Sequence, residues 1–383
     1  MSDVTPIRLG MVGGGQGAFI GGVHRIAARI DGQFNLVAGA LASTPEKAAA
    51  SAKEIGLERS YGSYQEMATA EAAREDGIEA VAIVTPNHVH YPAAKAFLEA
   101  GIHVICDKPL TSTLEDALAL EEVANKANAL FILTHNYTGY PMIRQAKSMI
   151  ANGELGDIRL VQTEYPQDWL TEAAEQDPNN KQADWRTDPK RSGLGGCVGD
   201  IGTHAYNLAR FVTGLKLDSL AGDLDAFVEG RRVDDNVNVL LRFEGGAKGM
   251  LWASQVAVGN ENGLALRVYG SKGGLEWVQA DPNYLWYTPF GEPKRLLTRG
   301  GAGANDAANA VTRIPGGHPE GYLEGFATLY MESANAIRAF RNGGDVAAAM
   351  VNLPNMADGV EGVKFIDACI RSSNDNAAWV KLA

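Results

Sequence analysis

Apolar residues fall in short unbroken runs over the first third of the chain and alternate with polar residues over much of the remainder. Residues 7–13, 34–42, 80–85 and 130–134, and the apolar Ile102, Val104 and Ile105 that open the stretch 102–110, are runs of the first kind, the pattern of parallel strands covered on both faces. Between them, 23–30, 45–55, 92–100 and 114–125 carry helical spacing. Such alternation, about six strands in about 135 residues, predicts a doubly wound dinucleotide domain.

The texture changes after Gly139. A helix at 141–152, stopped by Gly153, leads into alternation at 158–165, which suits an antiparallel strand with one wet face. Strand-like runs at 219–229, 236–243, 247–256 and 264–270 follow a long polar segment, 166–196, with turn signals such as Glu244-Gly245-Gly246 and Ser271-Lys272-Gly273-Gly274 between them. A Gly/Ala-rich loop at 299–321 precedes helices at 322–341 and 357–371, the last of which closes the fold. The expected class is α/β, with a Rossmann doubly wound parallel sheet in residues 1–137 and an α+β domain with a large, mainly antiparallel open sheet in 138–383. An open sheet presents a broad face that another subunit commonly buries, so a homodimer or homotetramer through the C-terminal sheet is expected.

Composition narrows the function classes. A chain of 383 residues suits two domains, and a net charge of -12 disfavours nucleic acid or an anionic membrane as partner. Cys106, Cys197 and Cys369 are far apart and form no paired motif, which fits a reducing compartment. No apolar run approaches a membrane span, and residues 1–8 lack the regions of a signal peptide. A cytoplasmic protein is expected. No histidine or cysteine spacing of a metal site occurs, so no metal is expected.

The candidate chemistry begins at the first strand, which runs straight into G-G-G-Q-G-A and then a helix. Strand, glycine-rich turn and helix form the dinucleotide fingerprint, in which glycines admit the pyrophosphate and the helix N-terminus supplies N–H donors. Gly13, Gly15, Gln16, Gly17 and Ala18 are the candidates for that contact. The second strand ends without an acid to grip ribose hydroxyls. Ser43, Thr44 and Lys47 stand there instead, able to receive a phosphate or hydroxyls or simply to begin a helix, so NAD and NADP both stay open.

The run at 102–110 delivers Asp107, Lys108 and a Pro109 that ends ladder pairing, at the strand edge where open α/β sheets gather their chemistry. A lysine poorly hydrated beside a dinucleotide gives up its proton more easily, and the alternative is a solvated lysine before a turn. Thr85 and Asn87 lie at another strand end on the same edge, with His90 following as a cap, a packed residue or a contact of the dinucleotide. A second constellation is S-G-L-G-G-C-V-G-D-I-G-T-H at 192–204. If this segment is helical, Asp200 and His204 share one face at i,i+4. A carboxylate on one ring nitrogen fixes the tautomer and makes the other a better proton acceptor, and the alternative is a helix cap plus a packed histidine.

Taken in order, the glycine-rich turn, T-P-N-H-V-H, C-D-K-P, N-G-E-L-G-D-I, G-G-C-V-G-D-I-G-T-H and L-R-V-Y-G-S-K-G-G-L resemble the glucose-fructose oxidoreductase and inositol dehydrogenase family, written Gfo/Idh/MocA, over essentially the whole chain. The resemblance implies a nicotinamide-dependent oxidoreductase acting on a secondary alcohol of a sugar, glycoside or cyclitol. It assigns the hydroxyl proton to Lys108 and His204, and the holding of substrate and histidine to Asp200. Asp107 and Asn136 join the expected dinucleotide contacts, and Arg186 reaches the nicotinamide or a substrate oxygen. Tyr165, Trp169, His318 and Tyr322 are candidates for the sugar pocket, core packing being the alternative for the aromatics. Two departures stand out. The turn from Gly13 to His24 is three residues longer than the usual pattern, which leaves the third glycine's role to Ala18 or Gly21, and Asp107 replaces the usual glutamate. Rival outcomes for the same family are an NAD-dependent glycosidase working by transient ring oxidation and a non-catalytic dinucleotide-binding regulator.

Overall fold

The computed structural model describes residues 5–382, so residues 1–4 and 383, at the outer ends of the two expected domains, lie outside the described residues. The described residues form two compact units, each with its own sheet. The first runs to Asn136 and also takes in Tyr322–Val360, and the second holds Tyr137–Gly321 and the chain from Glu361.

Six strands build the first sheet: β1 (Ile7–Gly13), β2 (Phe34–Ala40), β3 (Arg59–Ser60), β4 (Ala80–Val84), β5 (His103–Cys106) and β6 (Phe131–Leu133). Their order is β3-β2-β1-β4-β5-β6 and every pairing is parallel. The order reverses between β1 and β4, which makes the C-terminal ends of these two strands the place where a crevice opens. All five residues of β4 and all four of β5 are buried, as a sheet covered on both faces requires.

The sequence division ended this unit at residue 137, but the helix Tyr322–Arg341 belongs to it. Phe326, Leu329, Tyr330, Ala334 and Ile337 of that helix join Val23 and Ala27 of the helix Phe19–Ile30, with Leu9, Met11 and Phe34 of the sheet, in one buried cluster. Helical spacing reveals an apolar face without naming what covers it.

Nine strands build the second sheet: β7 (Ile158–Pro166), β8 (Leu217–Asp225), β9 (Asn236–Phe243), β10 (Lys248–Ser254), β11 (Ala265–Gly270), β12 (Gly273–Val278), β13 (Tyr284–Pro289), β14 (Arg295–Thr298) and β15 (Val380–Lys381). Their order is β14-β13-β12-β11-β7-β10-β9-β8-β15, antiparallel except between β7 and β10. The expected strand at 219–229 stops at Asp225, because the Asp235 carboxylate accepts the N–H groups of Phe227 and Val228 and draws the chain into a loop. Helices Pro141–Ala151 and Thr203–Thr213 pack on one face of this sheet. Leu160, Leu240, Met250, Trp286 and Leu296 are exposed. No helix among the described residues is long and apolar enough to cross a membrane.

Candidate active site

The glycine-rich turn leaves β1 with Gly13 and Gly14 in the left-handed region, φ +78° and +72°. A Cβ on Gly13 would stand 2.8 Å from the Val84 carbonyl oxygen of the neighbouring strand, closer than real contacts allow. The third glycine's place falls to Gly21, whose Cβ would meet the Cα of Gly14 at 2.3 Å and its oxygen at 2.4 Å. Only glycine lets the helix lie that close to the turn. Ala18 instead opens the helix, and its N–H is spent on the Gly15 carbonyl at 3.0 Å. Gln16 turns toward the helix Pro45–Glu54, where its N–H meets Ser51 Oγ at 3.2 Å and its amide meets Glu54 at 2.6 Å. Gly15 bonds the Leu41 carbonyl at 3.1 Å, and Gly17, φ +76°, faces open space. Arg25, which no motif singled out, pins the turn by donating to the Gly14 carbonyl at 2.6 Å.

At the end of β2, the Thr44 hydroxyl caps the next helix by accepting from Lys47 N at 3.4 Å, while Ser43 and the Lys47 side chain are exposed. At the end of β5, Asp107 Oδ1 accepts the Lys108 N–H at 2.9 Å and the Thr134 hydroxyl at 3.0 Å. Asp107 thus ties its own loop to the end of β6, and Lys108 is half-buried there. The Lys108–Pro109 bond is cis. Asn87 and Asn136 are buried at the neighbouring strand ends. His90, expected among the dinucleotide contacts, is buried with both ring nitrogens against backbone: Nδ1 lies 2.8 Å from the Pro109 oxygen and Nε2 2.9 Å from the Thr85 oxygen.

In the second unit, Val198–Gly202 is a π-helical turn carrying Asp200, and it runs directly into the helix Thr203–Thr213 carrying His204. The segment is helical as its spacing suggested, with a wider first turn of a kind found at functional sites. Asp200 Oδ2 accepts from Gln255 Nε2 at 2.9 Å and pairs with Arg186 Nε at 3.3 Å. The Arg186 guanidinium lies 4.3 Å from the Trp185 ring and 5.9 Å from that of Trp169, two aromatic faces that favour a cation. The buried His204 ring packs edge to face with Tyr137 at 4.9 Å and near Tyr165 at 6.2 Å.

Two buried side chains that sequence reasoning missed hold this arrangement. Gln255 sits just past β10, and its strand-end place was its sole signal. Asp234 accepts the N–H groups of Gly196 at 2.6 Å and Val198 at 2.7 Å, and a Cβ on Gly196 would collide with the Asp234 carbonyl at 2.2 Å. The glycines of this segment therefore serve a close approach to Asp234. Burial outweighs those two donors and lifts the Asp234 pKa to about 6.

The remaining pocket candidates scatter. Tyr165 is buried and its hydroxyl is engaged by Asn262 at 2.7 Å and Tyr137 at 2.5 Å. Trp169 is partly exposed, its indole N–H on Gln167 at 3.1 Å. His318 lies exposed in a loop of the second unit, where its carbonyl accepts from Arg299. Tyr322 belongs to the first unit, where it stacks on Phe19 at 6.3 Å beside the glycine-rich turn.

Residues 7–135 match an oxidoreductase family's NAD-binding Rossmann fold, and residues 143–276 match the GFO/IDH/MocA C-terminal domain. The chain is 62% identical to an oxidoreductase from Sinorhizobium meliloti, covering 99% of this chain and 100% of that one at a TM-score of 0.90. The chain belongs to the GFO/IDH/MocA oxidoreductase family. Within that family it is similar to an inositol dehydrogenase homologue from Azotobacter vinelandii, solved with NADH and myo-inositol, at 37% identity, 99% and 98% coverage and a TM-score of 0.91. It is also 29% identical to the levoglucosan dehydrogenase of Pseudarthrobacter phenanthrenivorans over 98% of this chain and 97% of that one.

The first unit is thus the NAD-binding Rossmann domain of a GFO/IDH/MocA oxidoreductase, and its residues suit the dinucleotide. The turn at Gly13, Gly14 and Gly21 has no room for a side chain. Thr85 Oγ1 and Asn136 Nδ2 are buried without a partner among the described residues, at the ends of β4 and β6. Polar atoms in that state call for a ligand's hydrogen bonds.

Proposed function

We propose that this oxidoreductase moves a hydride between a nicotinamide dinucleotide and a secondary hydroxyl of a sugar, glycoside or cyclitol, with Lys108 and His204 handling the hydroxyl proton. The observation that carries this reading is the pair of built supports. Lys108 follows β5 with its N–H held by Asp107, and His204 follows a π-helical turn whose Asp200 is gripped by Gln255 and Arg186. Supports of this kind are what proton-handling groups need, since their efficiency depends on position.

When bound, the dinucleotide supplies the hydride chemistry. The chain's part is to hold the turn and move a proton. Gly13 to Gly17 receive the pyrophosphate, with Thr85, Asn87 and Asn136 toward the nicotinamide. His204 takes the hydroxyl proton through its imidazole, Lys108 donates a hydrogen bond from Nζ to the oxygen on which charge develops, and Asp200 orients substrate and histidine. Trp169, partly exposed, lends the second unit an aromatic surface on which a sugar ring packs, and the buried Tyr165 backs His204. The exposed Ser43 and Lys47 meet the adenosine ribose or its phosphate, so NAD and NADP are both admitted. The open sheet face bearing Leu160, Leu240 and Met250 is covered by a second copy of the chain.

The test is cofactor reduction by the purified protein, with NAD and NADP in parallel, across cyclitols, free aldoses and simple glycosides. Steady reduction with one class supports the reading and names the class. Aglycone release from a glycoside without net reduction replaces it with the glycosidase, and binding without any turnover leaves the regulator.

A further inference from the structure

We propose that His90 is a positioning residue for Lys108: its imidazole bridges the backbone carbonyls of Pro109 and Thr85, and the number of protons on the ring sets whether that bridge has two ties or one. The inference rests on the reading above only in taking Lys108 as a group that meets the reacting hydroxyl.

His90 opens the helix His90–Glu99 and is fully buried. Nδ1 stands 2.8 Å from the Pro109 oxygen and Nε2 2.9 Å from the Thr85 oxygen. A carbonyl oxygen only accepts, so both contacts are hydrogen bonds only when both ring nitrogens carry hydrogen. A neutral imidazole has one hydrogen, and its bare nitrogen then sets a lone pair against an oxygen lone pair in a fully buried site. The bridge joins two adjacent strand ends at the crevice, because Thr85 follows β4 and Pro109 follows Lys108. On its other side, the Lys108 turn is fastened through Asp107 to Thr134. That second fastening is independent of the imidazole's protonation. Lys108 is therefore held between a constant tie and a switchable one.

The ionisable groups that bear on the ring are Asp107, which favours the imidazolium, and Lys108, which opposes it. Burial is the largest influence and holds the His90 pKa below the ordinary imidazole value, against the pull of Asp107 and the two carbonyls. Both ties hold in acid, and one is released as pH rises toward neutrality.

The decisive experiment follows the imidazole nitrogens of the full-length protein by 15N NMR against pH, assigning His90 by the signal absent from His90→Phe. The expected result is two protonated nitrogens in acid and loss of one below the ordinary imidazole pKa. NADH titration by fluorescence and hydrogen exchange of the Lys108–Thr111 amides need no substrate. His90→Phe is expected to keep NADH binding while exchange at Leu110 and Thr111 speeds up. With a substrate in hand, kcat is expected to fall about 10- to 100-fold with KM little changed, the scale of a misplaced catalytic group. The fall in kcat as pH rises through the His90 transition disappears with it, and His90→Gln, which keeps one donor, recovers part of the loss. A wild-type ring with one bare nitrogen at every pH overturns the bridge. A His90→Phe protein with unchanged exchange and an unchanged kcat profile overturns the positioning role. Absence of turnover on every substrate bears on the functional reading alone.

Discussion

At its strand ends the first unit positions its polar groups mainly with backbone, and around Asp200 the second positions them with buried charge. In the Rossmann unit, Gly21 lies against Gly14, Arg25 donates to a carbonyl and His90 stands between two carbonyls. In the second unit, Arg231 pairs with Asp235 and Glu175, Asp234 clamps the segment leading to Asp200, and Asp200 faces Arg186. The contrast follows from the sheets. The strand ends of a parallel sheet covered on both faces leave little space for charged side chains, so close backbone approach and a buried ring do most of the holding there, while the buried Glu71, which accepts from Arg59, Tyr61 and the Ile78 N–H, serves the opposite edge, before β4. A sheet with long irregular loops leaves backbone groups to be satisfied inside them, and buried carboxylates that accept several N–H groups at once do this well. The units should therefore fail by different substitutions.

The largest expected effect is on turnover and ignores the contrast. Lys108→Ala and His204→Ala should each reduce kcat by about 10²- to 10⁴-fold, the usual worth of a placed proton-transfer group, with NADH binding retained in both. Near-normal turnover in both variants refutes the assignment. The next effect is on stability and tests the second unit. Arg231 and Asp235 have fully buried side chains, so Arg231→Met strands a carboxylate and should cost about 3–5 kcal/mol in urea unfolding. A loss below about 1 kcal/mol, the range of a surface pair, would show that Asp235 finds other compensation.

The matching substitution in the first unit adds a methyl group. Gly21→Ala must push the helix off Gly14 and should cost about 1–3 kcal/mol together with NADH affinity. Gly22→Ala, one residue on, meets only the end of Arg25 at 4.0 Å and should stabilise the helix by up to about 1 kcal/mol without touching affinity. Equal behaviour of the two alanines would mean that the close approach at Gly14 is dispensable.

The same contrast decides what the sequence made legible. Unbroken apolar runs announced β1, β2, β4, β5 and β6, since burial on both faces leaves one reading of such a run. The strands β12, β13 and β14 went unnoticed because the sheet's edge is half-wet, and Arg295, Leu296 and Tyr284 stand exposed along it. The helix Tyr322–Arg341 was legible as a helix but not as part of the first unit, because its partners lie some 300 residues away in the chain, as with Tyr330 and His24. Motif spacing could not choose between Ala18 and Gly21, whereas the room around a single Cβ does. Spacing also brought His90 to the crevice without telling which way its ring faces. Gln255 and Asp234 acquire their roles only through contacts made across the fold, to Asp200 and to Gly196 and Val198.

The last expected effect is graded by pH and has opposite signs in the two units, which makes it the sharpest comparison. His24 is fully buried with Nδ1 on the Tyr330 hydroxyl at 2.8 Å, and burial lowers its pKa to about 4 from an ordinary 6.5 although Asp107 pulls the other way. His103 is lowered to about 4 as well, and its Nδ1 accepts the Leu130 N–H at 2.9 Å, a bond that protonation would break. Between pH 4 and 6.5 the unfolded chain binds these protons and the folded chain does not, so each group makes folding more favourable as pH rises, by at most about 1.4 kcal/mol per pH unit. Asp234 does the reverse. Its pKa is raised from 3.8 to about 6, so over that interval the folded chain holds a proton that the unfolded chain has lost, and stability falls as pH rises. Urea unfolding of the wild type, His24→Phe and Asp234→Asn, compared across this range, separates the two contributions. The wild type should gain on His24→Phe with rising pH, and Asp234→Asn should gain on the wild type. Differences of the same sign in both comparisons would mean that the Gly196 and Val198 donors keep Asp234 ionised, and that the second unit's carboxylate clamp holds at every pH at which the protein is folded.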